Sequence, residues 1–381
     1  MNTHTLHHPA RPPRDTRMDI VRGWLQITIF MSHSFGSFIG GWMIHGAWGL
    51  SDSSELFVFL SGFTLGSVFA RKAARQGFAA GVRDLWGRIW RLYRTHLIVF
   101  TLFFAMLTVA GASGKFPDEA ERLGWGFLLH DPLHAIPAAL TLLYQPAFMG
   151  ILPVFIWCML MLPGFAALEA RFGDAALAAP IALYGVAWGF GLFPPSLAPE
   201  TGIAFNPFTW QILYLLGAWL GRRALYRGYA LPRLAWGYAI AVPILLLGLV
   251  LRLGWYDFLP WPAPVAETAM LVGKEALAPL RVLHALSLAW IVSMLVPRDA
   301  DWMHLRLFRW LASIGRHSLQ VFCLGLFLSW GCSAVFRLYP AARWIDPLLI
   351  LAGAAILTLF ARSLDHRRTV RSRAKPQPTP A

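Results

Sequence analysis

Charge is scarce in this chain, and negative charge is scarcest. Only 14% of its 381 residues are charged, against 57% hydrophobic, whereas a soluble domain carries about 25% charged residues. That balance excludes a soluble globular domain. The 19 acidic residues are outnumbered by 33 basic ones, almost all Arg, for a net charge of +14. In a soluble protein such an excess would point to nucleic acid. Here the Arg residues lie in short clusters between apolar runs, which the positive-inside rule explains more simply, so no nucleic-acid partner is expected. Cysteine is nearly absent. Cys158, Cys323 and Cys332 lie in or at the end of apolar runs, with no metal spacing and no disulfide framework. A phosphate-cradling Gly-rich loop, a His-Glu-x-x-His motif and a Gly-x-Ser-x-Gly elbow are also missing. Metal hydrolysis and Ser hydrolysis are therefore disfavoured, and neither a metal nor a permanently bound cofactor is expected. The first 17 residues are polar and rich in Pro, His and Arg. They lack the apolar core and cleavage site of a signal peptide, so the first apolar run is expected to stay in place as a helix.

What the chain has instead is a series of apolar runs, at 19–41, 53–70, 93–112, 148–168, 175–193, 207–221, 233–253, 277–297, 310–331 and 344–363. About 17 mainly apolar residues suffice to cross a bilayer as a helix. The pattern predicts an all-α, polytopic integral membrane protein with about ten transmembrane helices. A shorter run near 133–146, around Pro132, His134, Pro137 and Pro146, reads as re-entrant or interfacial. That reading puts every basic cluster on one side: Arg11 to Arg22, Arg71 to Arg94, Arg222 to Arg233, Arg298 to Arg309, and Arg362 to Lys375. By the positive-inside rule that side is cytoplasmic, as are both termini. Segments 42–52, 113–132, 194–206, 254–276 and 332–343 then face outward. Residues 1–17 form an N-terminal tail, 18–364 the transmembrane domain, and 365–381 a basic disordered tail. No fixed-period repeat is visible.

Ionisable groups inside apolar runs are costly and are site candidates by default. Arg22 and His33 are eleven residues apart, about 1100° of helix, within roughly 20° of three full turns. They share one helix face, about 16 Å apart along the axis, with Gln26 near the same stripe. A single helix over 19–41 would place His33 about two turns below its outer end. The bland alternative is a snorkelling Arg and a satisfied core His. In the next run Asp52 and Glu55 are i, i+3 neighbours at the outer end. Asp52 or Ser51 can cap the helix, with Glu55 completing a capping box; a carboxylate there can also fix an imidazole tautomer or accept a proton. Further polar candidates are Asn206 and Gln211, Arg281 and His284, and Arg316 and His317. Asn206 suits a helix cap, Arg281 a counter-ion for Glu55 or Glu275, and Arg316 with His317 an anchor at the cytoplasmic edge. Trp-rich stretches read mostly as interfacial belts, although some in outward loops can stack on sugar rings.

These residues carry a resemblance. Arg14-Asp15-Thr16-Arg17-Met18-Asp19-Ile20-Val21-Arg22-Gly23-Trp24, His33, and Gly49-Leu50-Ser51-Asp52-Ser53-Ser54-Glu55-Leu56-Phe57-Val58-Phe59-Leu60-Ser61-Gly62 resemble the OpgC family, which belongs with the membrane acyltransferase-3 proteins. Trp90-Arg91-Leu92-Tyr93-Arg94-Thr95-His96, Asn206-Pro207-Phe208-Thr209-Trp210-Gln211 and Gly315-Arg316-His317-Ser318-Leu319-Gln320-Val321-Phe322 agree with it. The blocks run from about 14 to 325, nearly the whole chain. The chain departs from the family pattern at Thr16 and Met18, where more aliphatic residues are expected, and over 34–48, which is short and divergent.

The resemblance implies a bacterial inner-membrane O-acyltransferase. It would move an acyl group, succinyl in the OpgC reaction, from cytoplasmic acyl-CoA to a hydroxyl of an extracytoplasmic glycan, a periplasmic glucan. The family's Arg and His, ten residues between them, fall on Arg22 and His33. Acyl-CoA, as succinyl-CoA, is then a co-substrate. Its phosphates need cations, for which Arg22, Arg88, Arg91 and Arg94 are candidates. His33 would be the general base, with Glu55 or Asp52 orienting it. Partners are the bilayer, acyl-CoA and the glycan acceptor; the sequence leaves a homo-oligomer open. Two other classes compete. A transporter or export component for a glycan or lipid-linked glycan would use the same polar groups to line a path, but no inverted repeat supports it. A membrane scaffold without chemistry leaves the Arg22/His33 stripe unexplained.

Overall fold

A computed structural model describes residues 15–198, 201–230, 236–255, 258, 271–297 and 300–373. Most of the N-terminal tail, most of the expected outward segment 254–276, Arg233, Arg298 and the tail beyond Arg373 lie outside the described residues. The described chain is all-helical, with no strand. We number the helices α1 (Thr16–Ser32), α2 (Phe38–Trp42), α3 (Ser53–Gln76), α4 (Phe78–Ala112), α5 (Glu119–Arg122), α6 (Gly126–His130), α7 (Pro132–Leu140), α8 (Ile151–Phe172), α9 (Ala178–Gly189), α10 (Pro207–Arg227), α11 (Trp236–Trp255), α12 (Pro279–Leu295), α13 (Arg306–Arg316), α14 (Ser318–Leu338) and α15 (Ile345–Arg373).

Among the described residues six helical segments are long and apolar enough to cross a membrane: Ser53–Gln76, Phe78–Ala112, Ile151–Gly189, Trp236–Gly254, Ser318–Leu338 and Ile345–Val370. α12 is apolar but shorter. α1 and α10 interleave Asp, Arg, Gln and Thr with their apolar residues, which lowers their hydropathy.

The chain groups into two compact units. The first holds residues 58–235 and 262–283. Here α3 and α10 meet through glycines at one-turn spacing. A Cβ added to Gly62 or Gly66 would overlap the backbone of Tyr214 or Ala218, and one added to Gly217 or Gly221 the carbonyl of Phe59 or Phe63. Small residues at i, i+4 let membrane helices approach to backbone contact. α4 carries the aromatic core of this unit. Trp125 is fully buried, 4.6 Å from the Phe100 ring centroid and 5.7 Å from that of Phe103. Tyr144, also fully buried, donates to the Gly124 carbonyl at 2.8 Å. In the short run near 133–146 the helix is α7, nine residues long, about 14 Å and well short of a bilayer.

The second unit holds residues 13–57, 236–261 and 284–381. α1 lies against α13, and the two backbones touch where a Cβ on Gly23 would overlap the Leu311 carbonyl and one on Gly315 the Asp19 carbonyl. Its apolar core joins Phe30 and Met31 to Ile314, Val321, Ile350 and Leu357.

Four expectations are corrected. The run 19–41 is not one helix: α1 ends at Ser32 with His33 as its C-cap. Gly36 turns the chain at φ 95°, in the left-handed region open to glycine, and Ser37 caps the short α2. The run 310–331 breaks at His317, between α13 and α14. The basic segment 71–94 is not a loop: α3 continues to Gln76, Gly77 turns at φ 88°, and α4 starts at Phe78. Finally, residues 365–373 are helical, because α15 runs unbroken to Arg373.

Candidate functional site

In the second unit, α1 begins with Asp15, whose side chain accepts the Arg17 N–H at 3.1 Å and pairs with the Arg17 guanidinium at 2.7 Å. Arg22 and Gln26 follow at i, i+4. Gln26 is buried, and its amide nitrogen has no hydrogen-bond partner among the described residues. His33 closes the helix. Its Nδ1 lies 2.8 Å from the Ile29 carbonyl and 3.2 Å from the Ser32 hydroxyl. A carbonyl only accepts, so Nδ1 carries the proton and Nε2 is the basic nitrogen. His33 is therefore at the helix end rather than two turns below it, and a backbone carbonyl orients the ring. Ser333 bonds the turn that follows, accepting from the Phe35 N–H at 2.8 Å.

The start of α3 is tied to α1 through a 2.6 Å bond between the Ser53 and Thr28 hydroxyls. Asp52 and Glu55 form the capping box that their spacing allows. The Asp52 carboxylate accepts from the Ser54 N–H at 2.8 Å and from the Ser54 hydroxyl. The Glu55 carboxylate, fully buried, accepts from the Asp52 N–H at 2.9 Å. The residues just before are gripped by α11 and α12. His284 Nδ1 is 2.7 Å from the Ser51 hydroxyl, and Arg252 donates to the Gly49 carbonyl at 2.9 Å. The His284 ring fills space left by two glycines: a Cβ on Gly49 or Gly248 would come to 2.5 Å from it. His45 lies on the same loop. Burial lowers its pKa, and the negative charge of Asp52 partly offsets that.

A second polar cluster closes the gap between α13 and α14. Asp365, on α15, accepts from the Ser313 hydroxyl at 2.6 Å, from Arg316 at 2.5 and 3.2 Å, and pairs with His317 Nε2 at 2.9 Å. Ser313 and Arg316 near the end of α13 and His317 at its break with α14 share one carboxylate, which holds the break against α15. Burial pulls the His317 pKa down, with the Asp365 bond opposing it.

In the first unit the structure favours the bland readings. Asn206 caps α10, accepting from Phe208 N–H at 3.1 Å and donating to the Leu192 carbonyl at 2.6 Å. Gln211 donates to the Pro180 carbonyl at 2.8 Å, while its buried carbonyl oxygen has no partner among the described residues. Arg281 is buried, and one of its bonds reaches the Val272 carbonyl at 3.5 Å. Arg88, Arg91 and Arg94 lie exposed on α4. Arg88 pairs with Asp84 at 2.8 Å, and Arg94 lies over the Trp90 ring at 5.7 Å.

Asp365, Arg252, Ser51 and His45 were not singled out as functional from sequence. Asp365 sits just before the basic run that begins at Arg367 and reads as tail, although a lone Asp among arginines was the available signal. Arg252 interrupts an apolar run and is visible by the rule used for Arg22. Nothing local marks His45 or Ser51 for a shared role. Among the described residues no group of three or more His, Cys, Asp or Glu is placed to hold a metal ion.

An all-helical fold with membrane-length apolar helices and buried ionisable groups at their ends defines a polytopic membrane protein. The family model described as OpgC protein matches residues 14–369, and the chain belongs to the OpgC family. No curated protein and no solved structure matches it.

Proposed function

We propose that this protein is a bacterial inner-membrane O-acyltransferase with both termini cytoplasmic. It transfers an acyl group, succinyl, from cytoplasmic acyl-CoA to a hydroxyl of a periplasmic glucan. Membership of the OpgC family supports the reaction class. The observation that carries the chemistry is His33, whose Nδ1 is bonded to the Ile29 carbonyl so that Nε2 is basic. In this reading Nε2 takes the proton of the attacking sugar hydroxyl. The new ester C–O bond forms as the acyl C–S bond breaks, and the imidazolium returns the proton to the departing thiolate of CoA. The proton balance is the same whether transfer is direct or passes through an acyl-enzyme. Glu55 is the candidate carboxylate for the imidazolium, because it is buried two residues after Ser53, the residue bonded to α1. Arg22 contributes positive charge for the donor phosphates, a charge-assisted contact worth roughly 1.5–3 kcal/mol. On the acceptor side Trp42 lies 5.8 Å from Trp48 and 6.1 Å from Phe258, ring to ring, an aromatic surface on which sugar rings can stack.

The test is acyl transfer from succinyl-CoA to glucan by purified protein in nanodiscs, with mass spectrometry of the product. His33→Ala is expected to abolish transfer while leaving the melting temperature and acyl-CoA affinity near wild type. Near-normal turnover in that variant would remove His33 from the mechanism.

A further inference from the structure

α13 presents Arg306, Arg309, Trp310, Ser313 and Arg316 towards one space, with each joined to another by a spacing of three or four residues. α15 adds Arg362 and Asp365 one turn apart. Together they line a cavity of about 470 Å³, within the range that holds a small-molecule ligand. Four guanidinium groups share it with one carboxylate, and that carboxylate is already bonded to Arg316, Ser313 and His317. Among the described residues no side-chain hydrogen bond or ion pair engages the guanidinium groups of Arg306, Arg309 or Arg362. Arginines anchoring a helix at a membrane surface snorkel outward, each to its own water. Here like charges converge on one space, an arrangement that gains from an anion inside it. Arg forks match phosphate oxygens two at a time. Trp310 is 41% exposed among them, with a flat ring face suited to a heterocyclic base.

We propose that this cavity binds the phosphates of a nucleotide-type ligand, with Arg306, Arg309 and Arg362 on the phosphates and Trp310 against the base. Resting on the acyl-CoA reading, this places the 3′-phosphoadenosine and pyrophosphate end of the donor between α13 and α15, rather than on the exposed arginines of α4. The junction at His317 would then feel donor binding through Asp365, which contacts both Arg316 of the cavity and His317.

The same phosphate chemistry could come from an anionic lipid headgroup, so the test has two arms. Full-length protein is placed in nanodiscs of phosphatidylcholine and titrated with CoA and, separately, with inorganic pyrophosphate. Wild type is compared with R306Q/R309Q, with R362Q and with Trp310→Leu, all at exposed positions, with melting temperature as the folding check. A tenfold or greater loss of CoA affinity in R306Q/R309Q, a smaller loss in R362Q, and a loss for CoA but not pyrophosphate in Trp310→Leu are expected. CoA affinity within twofold of wild type in both arginine variants would overturn the proposal, leaving the transfer reaction itself untouched. In the lipid arm, phosphatidylglycerol retained by wild type and lost from R306Q/R309Q, with CoA affinity unchanged, would also overturn it and make the cavity a lipid site. Pyrophosphate binding that the variants abolish, with no CoA binding to wild type, would keep the phosphate site and sink the acyl-CoA reading instead.

Discussion

Glu55 is both a structural cap and a candidate catalytic carboxylate, and two substitutions separate the roles. In the structure its buried carboxylate accepts the Asp52 N–H at 2.9 Å, while Asp52 accepts the Ser54 N–H at 2.8 Å. Glu55→Ala removes that acceptor and leaves an N–H without its partner at a helix start, which costs about 1–3 kcal/mol. Glu55→Gln retains a carbonyl oxygen that can accept the same bond. A neutral bond is roughly half as strong as a charge-assisted one, so the stability loss should stay within about 1 kcal/mol. If the negative charge stabilises an imidazolium as the acyl group moves, Glu55→Gln should lose at least tenfold in kcat, about 1.4 kcal/mol of barrier. The expected pattern is therefore crossed: Glu55→Gln near wild type in melting temperature but poor in transfer, Glu55→Ala poor in both. The assays are thermal unfolding and single-turnover transfer on monodisperse protein. Wild-type transfer by Glu55→Gln would refute a catalytic charge and leave Glu55 as a cap alone.

Two further predictions concern close packing. Gly217→Ala puts a Cβ into the Phe59 carbonyl and should destabilise by about 1–3 kcal/mol or more, whereas Gly164→Ala, with open space around its Cβ position, should gain up to about 1 kcal/mol from helix propensity; thermal unfolding showing the same sign for both would contradict the α3–α10 crossing. Gly248→Ala would come to 2.5 Å from the His284 ring; displacing that ring from Ser51 should lower the melting temperature and also the transfer rate, since the loop leads into Glu55, and a variant unchanged in both would show that His284 does not position this loop.

Helix placement was legible wherever hydropathy alone decides it. The cores of α3, α8 and α14 lie inside the runs read from sequence, because a membrane-length apolar segment must satisfy its backbone internally. The breaks were not legible. His33 ends α1 in the middle of an apolar stretch, and the cause is a turn at Gly36 together with a distant bond from Ser333. His317 ends α13 and is held by Asp365, about fifty residues further along and beyond the whole of α14 in sequence. Hydropathy averages over such single residues, and a bond of that sequence separation leaves no local trace.

The same distinction explains which site residues were found. Arg22, His33, Asp52 and Glu55 stand out because each is an ionisable group in, or at the edge of, an apolar run, and two of the four also obey a local rule, the i, i+3 spacing of a capping box. Their importance was visible one residue at a time. His284, Ser51, Arg252 and Gly248 form a unit only after folding, since a ring on α12 needs a glycine on α11 and another before α3 to fit. The arginine cavity repeats the point. Arg306 and Arg309 read as one cytoplasmic cluster and Arg362 as part of another, so each was explained by topology and set aside. Topology accounts for which side of the membrane they occupy. It does not account for their turning towards a common space of about 470 Å³, and that convergence is what suggests a ligand.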